Sequence, residues 1–425
     1  MKTMKIPSGW KLCKQSDVST FYNGRAYKLS EWETEGTPVI RLQNLTGTGN
    51  EYYYSNLKLP EHQYADNGDL LYMWSATFGP KIWQGEKAIY HYHIWKVVCK
   101  DDLLDQSFMY YNLDFITESM KSKTNGSTML HLTKKGMEEH EILLPPLAEQ
   151  EKIAEYLSTV DKKIDLIDQK IAETEKLKTG LMQKLFSEGV GVQDENGDWQ
   201  PHTEFRTTSI GEVPKTWQDA QIGDYVSELV SGVSVNSYDK QKTENEIGVL
   251  KTSAVIGGNF YPEFHKTVKP EDTARVKTTV KENTLVISRM NTPSLVGEFG
   301  YVSKDYNDLY LPDRLWMTVP TSKPHDVKAL SYLMQHYPVK KSIKELATGT
   351  SNSMKNISKG KFLAVYVPHI PYEEQMMIRE ILSTVDIKLE LLNKQKAETQ
   401  QLKKGLMQKL LTGEWRVPVE ETEAA

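Results

Sequence analysis

The sequence predicts an α+β protein in which two domains of like fold are joined by two long antiparallel coiled-coil helices with pseudo-two-fold symmetry. Three observations predict it: a long helical segment is written twice, a strand-rich block precedes each copy, and the landmarks of the two blocks recur in one order. The repeated segment opens at Pro146-Leu-Ala-Glu-Gln150 and runs through Leu157-Ser-Thr-Val-Asp161 and Ala172-Glu-Thr174 to Gly180-Leu-Met-Gln-Lys-Leu185. It returns as Pro371-Tyr-Glu-Glu-Gln375, Leu382-Ser-Thr-Val-Asp386, Ala397-Glu-Thr399 and Gly405-Leu-Met-Gln-Lys-Leu410, at a constant offset of 225 positions (371 − 146). Self-similarity at a fixed offset determines architecture before any local feature does.

Composition agrees with two domains. A chain of 425 residues is too long for one ordinary core, and 39% hydrophobic with 26% charged residues excludes wholesale disorder. Cys13 and Cys99 are the only cysteines, which argues against a disulfide framework or a thiolate metal site and fits a reducing cytoplasm. No apolar run reaches the roughly 18 to 20 residues of a membrane span, and no signal-peptide core follows Met1, so a cytoplasmic protein is expected. The net charge of −5 does not announce a nucleic-acid partner; any such surface must gather Lys and Arg onto one face.

The first block is assigned to residues 1–144, the central helix to 145–189, a linker to 190–212, the second block to 213–369, the distal helix to 370–413 and a tail to 414–425. In the central helix Ile153, Leu157, Val160, Ile164 and Ile167 step alternately by four and three, and Ile378, Leu382, Val385, Leu389 and Leu392 keep that register in the distal copy. This is a heptad seam. A helix of about 40 residues, roughly 60 Å long, cannot bury one apolar stripe alone. The other copy is the nearest partner, and a two-fold relation makes the pair antiparallel.

Thr174 and Lys178, repeated as Thr399 and Lys403, interrupt the seam and are expected to soften it where the coil opens to other subunits. Pro145-Pro146 and Pro371 mark the helix starts, where Glu149 and Glu374 meet the favourable end of the dipole. Gly180 and Gly405 lie inside the helical pattern, at a cost of about 1 kcal/mol each relative to Ala. Their recurrence predicts a close backbone approach or a bend, so a bulky residue at Gly180 is expected to disrupt packing or assembly. The linker from Gly189 to Trp199 is rich in turn residues and reads as a polar linker or hairpin without calcium-loop spacing.

The blocks share landmarks. Ile6-Pro-Ser-Gly-Trp10 is echoed by Val213-Pro-Lys-Thr-Trp217, Val39–Gln43 by Val249–Ser253, Asp69–Trp74 by Thr284–Arg289, His93-Ile-Trp-Lys96 by Arg314-Leu-Trp-Met317, and Met129–Lys134 by Met354–Lys359. These runs read mostly as strands with Gly- and Asn-bearing turns, followed by a helical stretch.

No phosphate-binding loop, dinucleotide-binding glycine turn or base-methylation motif is present, so the catalytic set is empty. His91 and His93 read as the polar face of one strand, Ile89–Ile94, rather than as metal ligands, and no metal site is assigned. Two divergent modules on a rigid spacer suit a long ligand with two determinants, and DNA is such a ligand. The candidate DNA-binding residues lie at the ends of the recurrent runs: Arg41, Gln43, Asn44, Ser75, Thr77 and Lys81 in the first block, and Lys251, Ser253, Arg289, Asn291, Thr292, Lys355 and Asn356 in the second. Arg, Asn and Gln pair with base edges, whereas Lys and Ser serve phosphates as readily. An enzyme with an unrecognised site and a pure coiled-coil scaffold are the competing readings.

The chain resembles the DNA specificity (S) subunits of type I restriction-modification systems. The resemblance rests on the openings at Ile6 and Val213, Gly68-Asp-Leu-Leu71, Ser353-Met-Lys-Asn-Ile-Ser358, and Leu144-Pro-Pro-Leu-Ala-Glu-Gln150 leading into the helix, and it covers nearly the whole length. It implies two target-recognition domains that each read one half of a bipartite, asymmetric sequence. It also implies that the helices set the spacing and dock two methyltransferase (M) subunits, with restriction (R) subunits joining and no membrane involved. S-adenosylmethionine, ATP and magnesium would then belong to the partner subunits, with no cofactor on this non-catalytic chain. In the first block, Met129-Leu-His-Leu-Thr133 departs from the family form kept at Met354-Lys-Asn-Ile-Ser358, and Trp74 stands where the second block has Arg289.

Overall fold

The computed structural model describes residues 6–123, 132–349 and 354–418. The landmark residues Met129, Leu130, His131 and Ser353 lie outside the described residues. The chain forms two compact units: residues 1–169 with 393–425 (unit 1), and residues 170–392 (unit 2). Each long helix therefore contributes one part to each unit. The central helix spans Leu147–Ser187 and the distal helix Tyr372–Leu411. Among the described residues no helix is long and apolar enough to cross a membrane.

In unit 1 a four-stranded antiparallel sheet runs in the order Ser19–Asn23, Ile94–Cys99, Leu70–Ser75, Thr77–Ile82. A second sheet runs Tyr53–Ser55, Thr37–Ile40, Ala88–Tyr90, Tyr64–Ala65, with its middle pair parallel. Unit 2 repeats this plan. Val226–Ser231, Leu315–Pro320, Thr284–Ser288 and Phe299–Val302 match the first sheet, and two further short strands extend it. His265–Val268, Gly248–Leu250, Tyr306–Tyr310 and Thr279–Val280 match the second, again with a parallel middle pair. The like fold expected from scattered landmarks is thus present strand by strand. The helix Gln106–Lys123 of unit 1 is answered in unit 2 by two helices, Val327–Gln335 and Tyr337–Glu345. His336 between them is extended, and Pro338, lacking an N–H, restarts the helix in its first turn.

The long helices pair antiparallel within each unit. In unit 1, Ile153 and Leu157 near the start of the central helix share a core with Met407, Leu410 and Leu411 at the end of the distal helix. In unit 2, Leu185 and Phe186 at the end of the central helix share a core with Ile378 and Leu382 at the start of the distal one. Of the seam positions, Ile153, Leu157, Ile167, Ile378, Leu382, Val385 and Leu392 are buried, and Val160, Ile164 and Leu389 are partly covered. Each fully buried side chain of this size contributes about 1.5–3 kcal/mol.

The polar interruptions do not soften the seam as expected. Thr174 and Thr399 are buried and donate their hydroxyls to the carbonyls of Lys170 and Gln395 at 2.6 and 2.7 Å. Lys178 pairs with Asp386 in unit 2 and Lys403 with Asp161 in unit 1, both at 2.7 Å. Because 178 and 403, like 161 and 386, are repeat equivalents, one contact is made twice with the copies exchanging roles, as pseudo-two-fold symmetry requires. The close backbone approach expected at Gly180 and Gly405 is absent: among the described residues a Cβ at either position would meet nothing within 4 Å.

Candidate nucleic-acid interface

The recurrent motifs resolve first into anchors. Glu149, only 2% exposed, accepts the Trp10 indole N–H at 3.0 Å and two N–H groups of Arg416 at 2.7 and 2.8 Å. Its equivalent Glu374, 1% exposed, accepts the Trp217 indole N–H at 2.7 Å, the backbone N–H groups of Val190 and Gly191, and a hydrogen bond with His202 Nε2 at 3.0 Å. Gly189, at φ 72°, leads into this wrap, where a Cβ would strike the Glu374 carboxylate. Burial works to raise the Glu149 carboxyl, but Arg416 and Trp10 outweigh it and hold it below the usual carboxylate range. Gln150 and Gln375 likewise accept the backbone N–H of Asp105 and of Asp326, both at 2.9 Å. The Glu-Gln pair at each helix start therefore fastens a module to its helix, together with the Trp of each opening motif.

The candidate readers separate into two groups. In unit 1 the strand expected over Val39–Gln43 ends at Ile40, and Arg41 caps the short helix Leu42–Thr46. Asn44 is committed to that cap: its Oδ1 accepts the Arg41 N–H at 2.8 Å, and its amide donates to the Gly49 and Glu51 carbonyls. Gln43 is partly covered on the same turn. Ser75 and Thr77 face each other across the tight turn at Ala76, and Lys81 is exposed on the outgoing strand. In unit 2 Lys251 is tied to Asp239 at 2.9 Å, and Ser253 is exposed on the short helix Thr252–Ala254.

The strand expected over Ile89–Ile94 is also corrected. It stops at Tyr90, and His91 to His93 form the turn that carries the chain from one sheet to the other. Burial, then His93 and Arg41, push His91 down to about 4, and burial with Arg41 lowers His93, so both imidazoles are neutral near neutral pH. Among the described residues no group of three or more His, Cys, Asp or Glu is placed to hold a metal. The Arg41 guanidinium lies over Tyr53 and Trp32 at 5.0 and 6.0 Å, and Trp32 stacks on Tyr27 at 4.6 Å.

Five candidates of unit 2 are brought together. Met290–Asn291 pairs with Lys355–Asn356 as a two-stranded ribbon, Arg289 leads into it, and Thr292 leaves it exposed. Asn291 donates to Ser288 Oγ at 3.1 Å, and Lys355 donates to the Gly349 carbonyl at 2.6 Å. The Arg289 guanidinium lies 6.0 Å above the Trp316 ring. Six buried side-chain polar atoms lack a hydrogen-bond partner among the described residues, and three of them gather here: Arg289 Nε, Trp316 Nε1 and Asn356 Oδ1. An unsatisfied buried polar group costs about 1–3 kcal/mol, so this cluster is a local departure from the satisfied interior. Trp316 and Arg314 were absent from the candidate set, although the correspondence of Arg314-Leu-Trp-Met317 with His93-Ile-Trp-Lys96 marked them.

Comparison with known proteins agrees with this construction. A family model for the type I restriction modification DNA specificity domain matches residues 7–176 and 214–401. The chain is 27% identical to the type I restriction enzyme MjaVIII specificity subunit of Methanocaldococcus jannaschii, over 98% of this chain and 95% of that protein. It is 23% identical to the EcoBI specificity subunit of Escherichia coli, over 72% of this chain and 64% of that protein. A type I restriction-modification S subunit from M. genitalium, solved by crystallography, shares the fold at TM-score 0.55 and 15% identity, covering 97% of this chain and 98% of that one. A chain solved in work on assembly and conformational transition of the type I restriction-modification system does so at TM-score 0.56 and 15% identity, covering 97% and 100%. With the family model matched in both halves, this chain belongs to the type I restriction modification DNA specificity family.

Proposed function

We propose that the chain is the non-catalytic recognition subunit of a type I restriction-modification complex in which each unit's module reads one half of a bipartite, asymmetric DNA target. The observation that carries this reading is the contrast within the repeat: the helices, the Glu–Trp anchors and the core of each sheet are duplicated, while the side chains on the exposed strand ends differ. A duplicated frame with divergent tips suits two different half-sites on one ligand.

The paired helices set the spacing and receive two methyltransferase subunits, with restriction subunits completing a complex that contains no membrane component. Exposed leucines support the docking: Leu166 and Leu402 in unit 1, and their repeat equivalents Leu391 and Leu177 in unit 2, are each more than half exposed. The open space over Gly180 and Gly405 supports it as well, since nothing among the described residues requires glycine there. S-adenosylmethionine, ATP and magnesium are assigned to the partner subunits, and the cytoplasm is the working compartment.

The test is a genome-wide map of methylated motifs from cells carrying the methyltransferase partners with and without this chain. A bipartite motif that appears only with the chain supports the proposal. Turnover on DNA by the isolated chain, supplied with S-adenosylmethionine or ATP, would overturn its non-catalytic part, and methylation without sequence preference would overturn the recognition.

A further inference from the structure

We infer that one slot, occupied by Arg289 in unit 2 and by Trp74 in unit 1, selects a base pair in each half-site, and that Arg289 selects guanine. This rests on the reading of the modules as DNA readers. The surroundings of the slot are the same in both units. The backbone N–H of Trp74 donates to the His93 carbonyl at 3.1 Å, and that of Arg289 donates to the Arg314 carbonyl at 3.1 Å. Beneath each lies the equivalent tryptophan, with the Trp74 indole stacked on Trp95 at 5.7 Å and 16°, and the Arg289 guanidinium over Trp316 at 6.0 Å. One backbone position thus sets a planar group beside the equivalent indole in each unit, aromatic in one and cationic in the other.

That change decides what each slot accepts. Arg289 enters no ion pair among the described residues, its Nε has no partner, and Asn356 Oδ1 on the adjoining ribbon also lacks one. A guanidinium held over an indole and free of any ion pair can turn its fork to the O6 and N7 of guanine, a bidentate contact that its planar donor set favours. In unit 1 the Trp74 Nε1–H is already donated to the Tyr92 carbonyl at 2.8 Å, so this side chain offers only apolar surface. It fits the methyl group of thymine and offers no donor to guanine.

The experiment uses the complete complex with its methyltransferase subunits in cells free of other DNA methylation, read out by mapping methylated motifs, with Arg289→Met, Arg289→Lys and Trp74→Leu. Arg289→Met is expected to make one guanine position degenerate in one half of the motif and leave the other half intact. Methylation of the original target should fall roughly 10- to 100-fold, as expected when one bidentate base contact is lost. Arg289→Lys, which preserves the charge and most of the stem, should keep a weakened guanine preference at that position, and Trp74→Leu should alter only the opposite half. An unchanged motif with Arg289→Met, or a uniform loss at all sites with the motif preserved in both Arg289 variants, would mean a phosphate or structural role and would overturn the inference. If the unmodified complex shows no sequence preference, the recognition reading itself fails, and that outcome is separable from the others.

Discussion

Glu149 shows how much one side chain of the repeated motif accomplishes. Its carboxylate gathers the first tryptophan of the chain and Arg416 onto the start of the central helix, so opening, helix and tail meet on one charged group. Replacing it by glutamine keeps the shape and removes the charge, and Glu149→Gln is expected to lower stability by about 1–3 kcal/mol, as read by urea denaturation near pH 7. Because the folded carboxyl titrates below its ordinary value, its contribution is fully present above the unfolded value and is lost as pH falls through the folded one. The gap between the native chain and Glu149→Gln should therefore shrink as pH is lowered from the ordinary carboxyl value of 4.5 into the acid range. A gap that stays constant over that range would show that the charge is not what stabilises the anchor.

At the scale of the helix pair, register depends on a junction made once in each unit. In unit 1 Asp161 accepts the Tyr111 hydroxyl at 2.9 Å and pairs with Lys403, which also lies 3.6 Å from Asp114. Asp386, Tyr332 and Lys178 repeat the arrangement in unit 2. The two lysines occupy seam positions where an apolar residue would pack in many registers, whereas an ion pair with the facing aspartate fits only one. Lys403→Glu is expected to cost roughly 2 kcal/mol by thermal denaturation, in keeping with the loss of a charged hydrogen bond, and Asp161→Lys in the same chain should recover part of it. Absence of any recovery would assign the cost to lost packing of the lysine stem. The open glycines give the opposite expectation: Gly180→Ala should stabilise the isolated chain by about 0.5–1 kcal/mol, while Gly180→Leu should raise its melting in the same direction and yet weaken capture of methyltransferase subunits in co-purification.

For the molecule as a whole, the paired helices act as a ruler in the proposed function. Inserting a second copy of Ala172-Glu-Thr-Glu175 lengthens the central helix by about one turn, roughly 6 Å. The expected result is a motif whose halves are unchanged and whose spacer has shifted by one or two base pairs, read from methylation maps. Altered half-site sequences with an unaltered spacer would contradict it. Exchanging residues 213–369 for the corresponding block of another family member should change one half of the motif only.

The repeat, the antiparallel seam, the strand landmarks and the family were legible in the sequence because they are periodic or duplicated, and covalent order alone records such patterns. Local turns were less legible: Arg41 and Asn44 read as a strand end because a capping turn and a strand end use the same residue types, and His91 to His93 alternate as a strand does yet form a turn between sheets. Only the tertiary structure decided that Lys178 and Lys403 pair across the seam, since their carboxylates lie 208 and 242 positions away along the chain (386 − 178 and 403 − 161). It alone placed Trp74 and Arg289 on equivalent tryptophans, because a stacking partner is fixed by where neighbouring strands bring an indole, and no linear spacing records that.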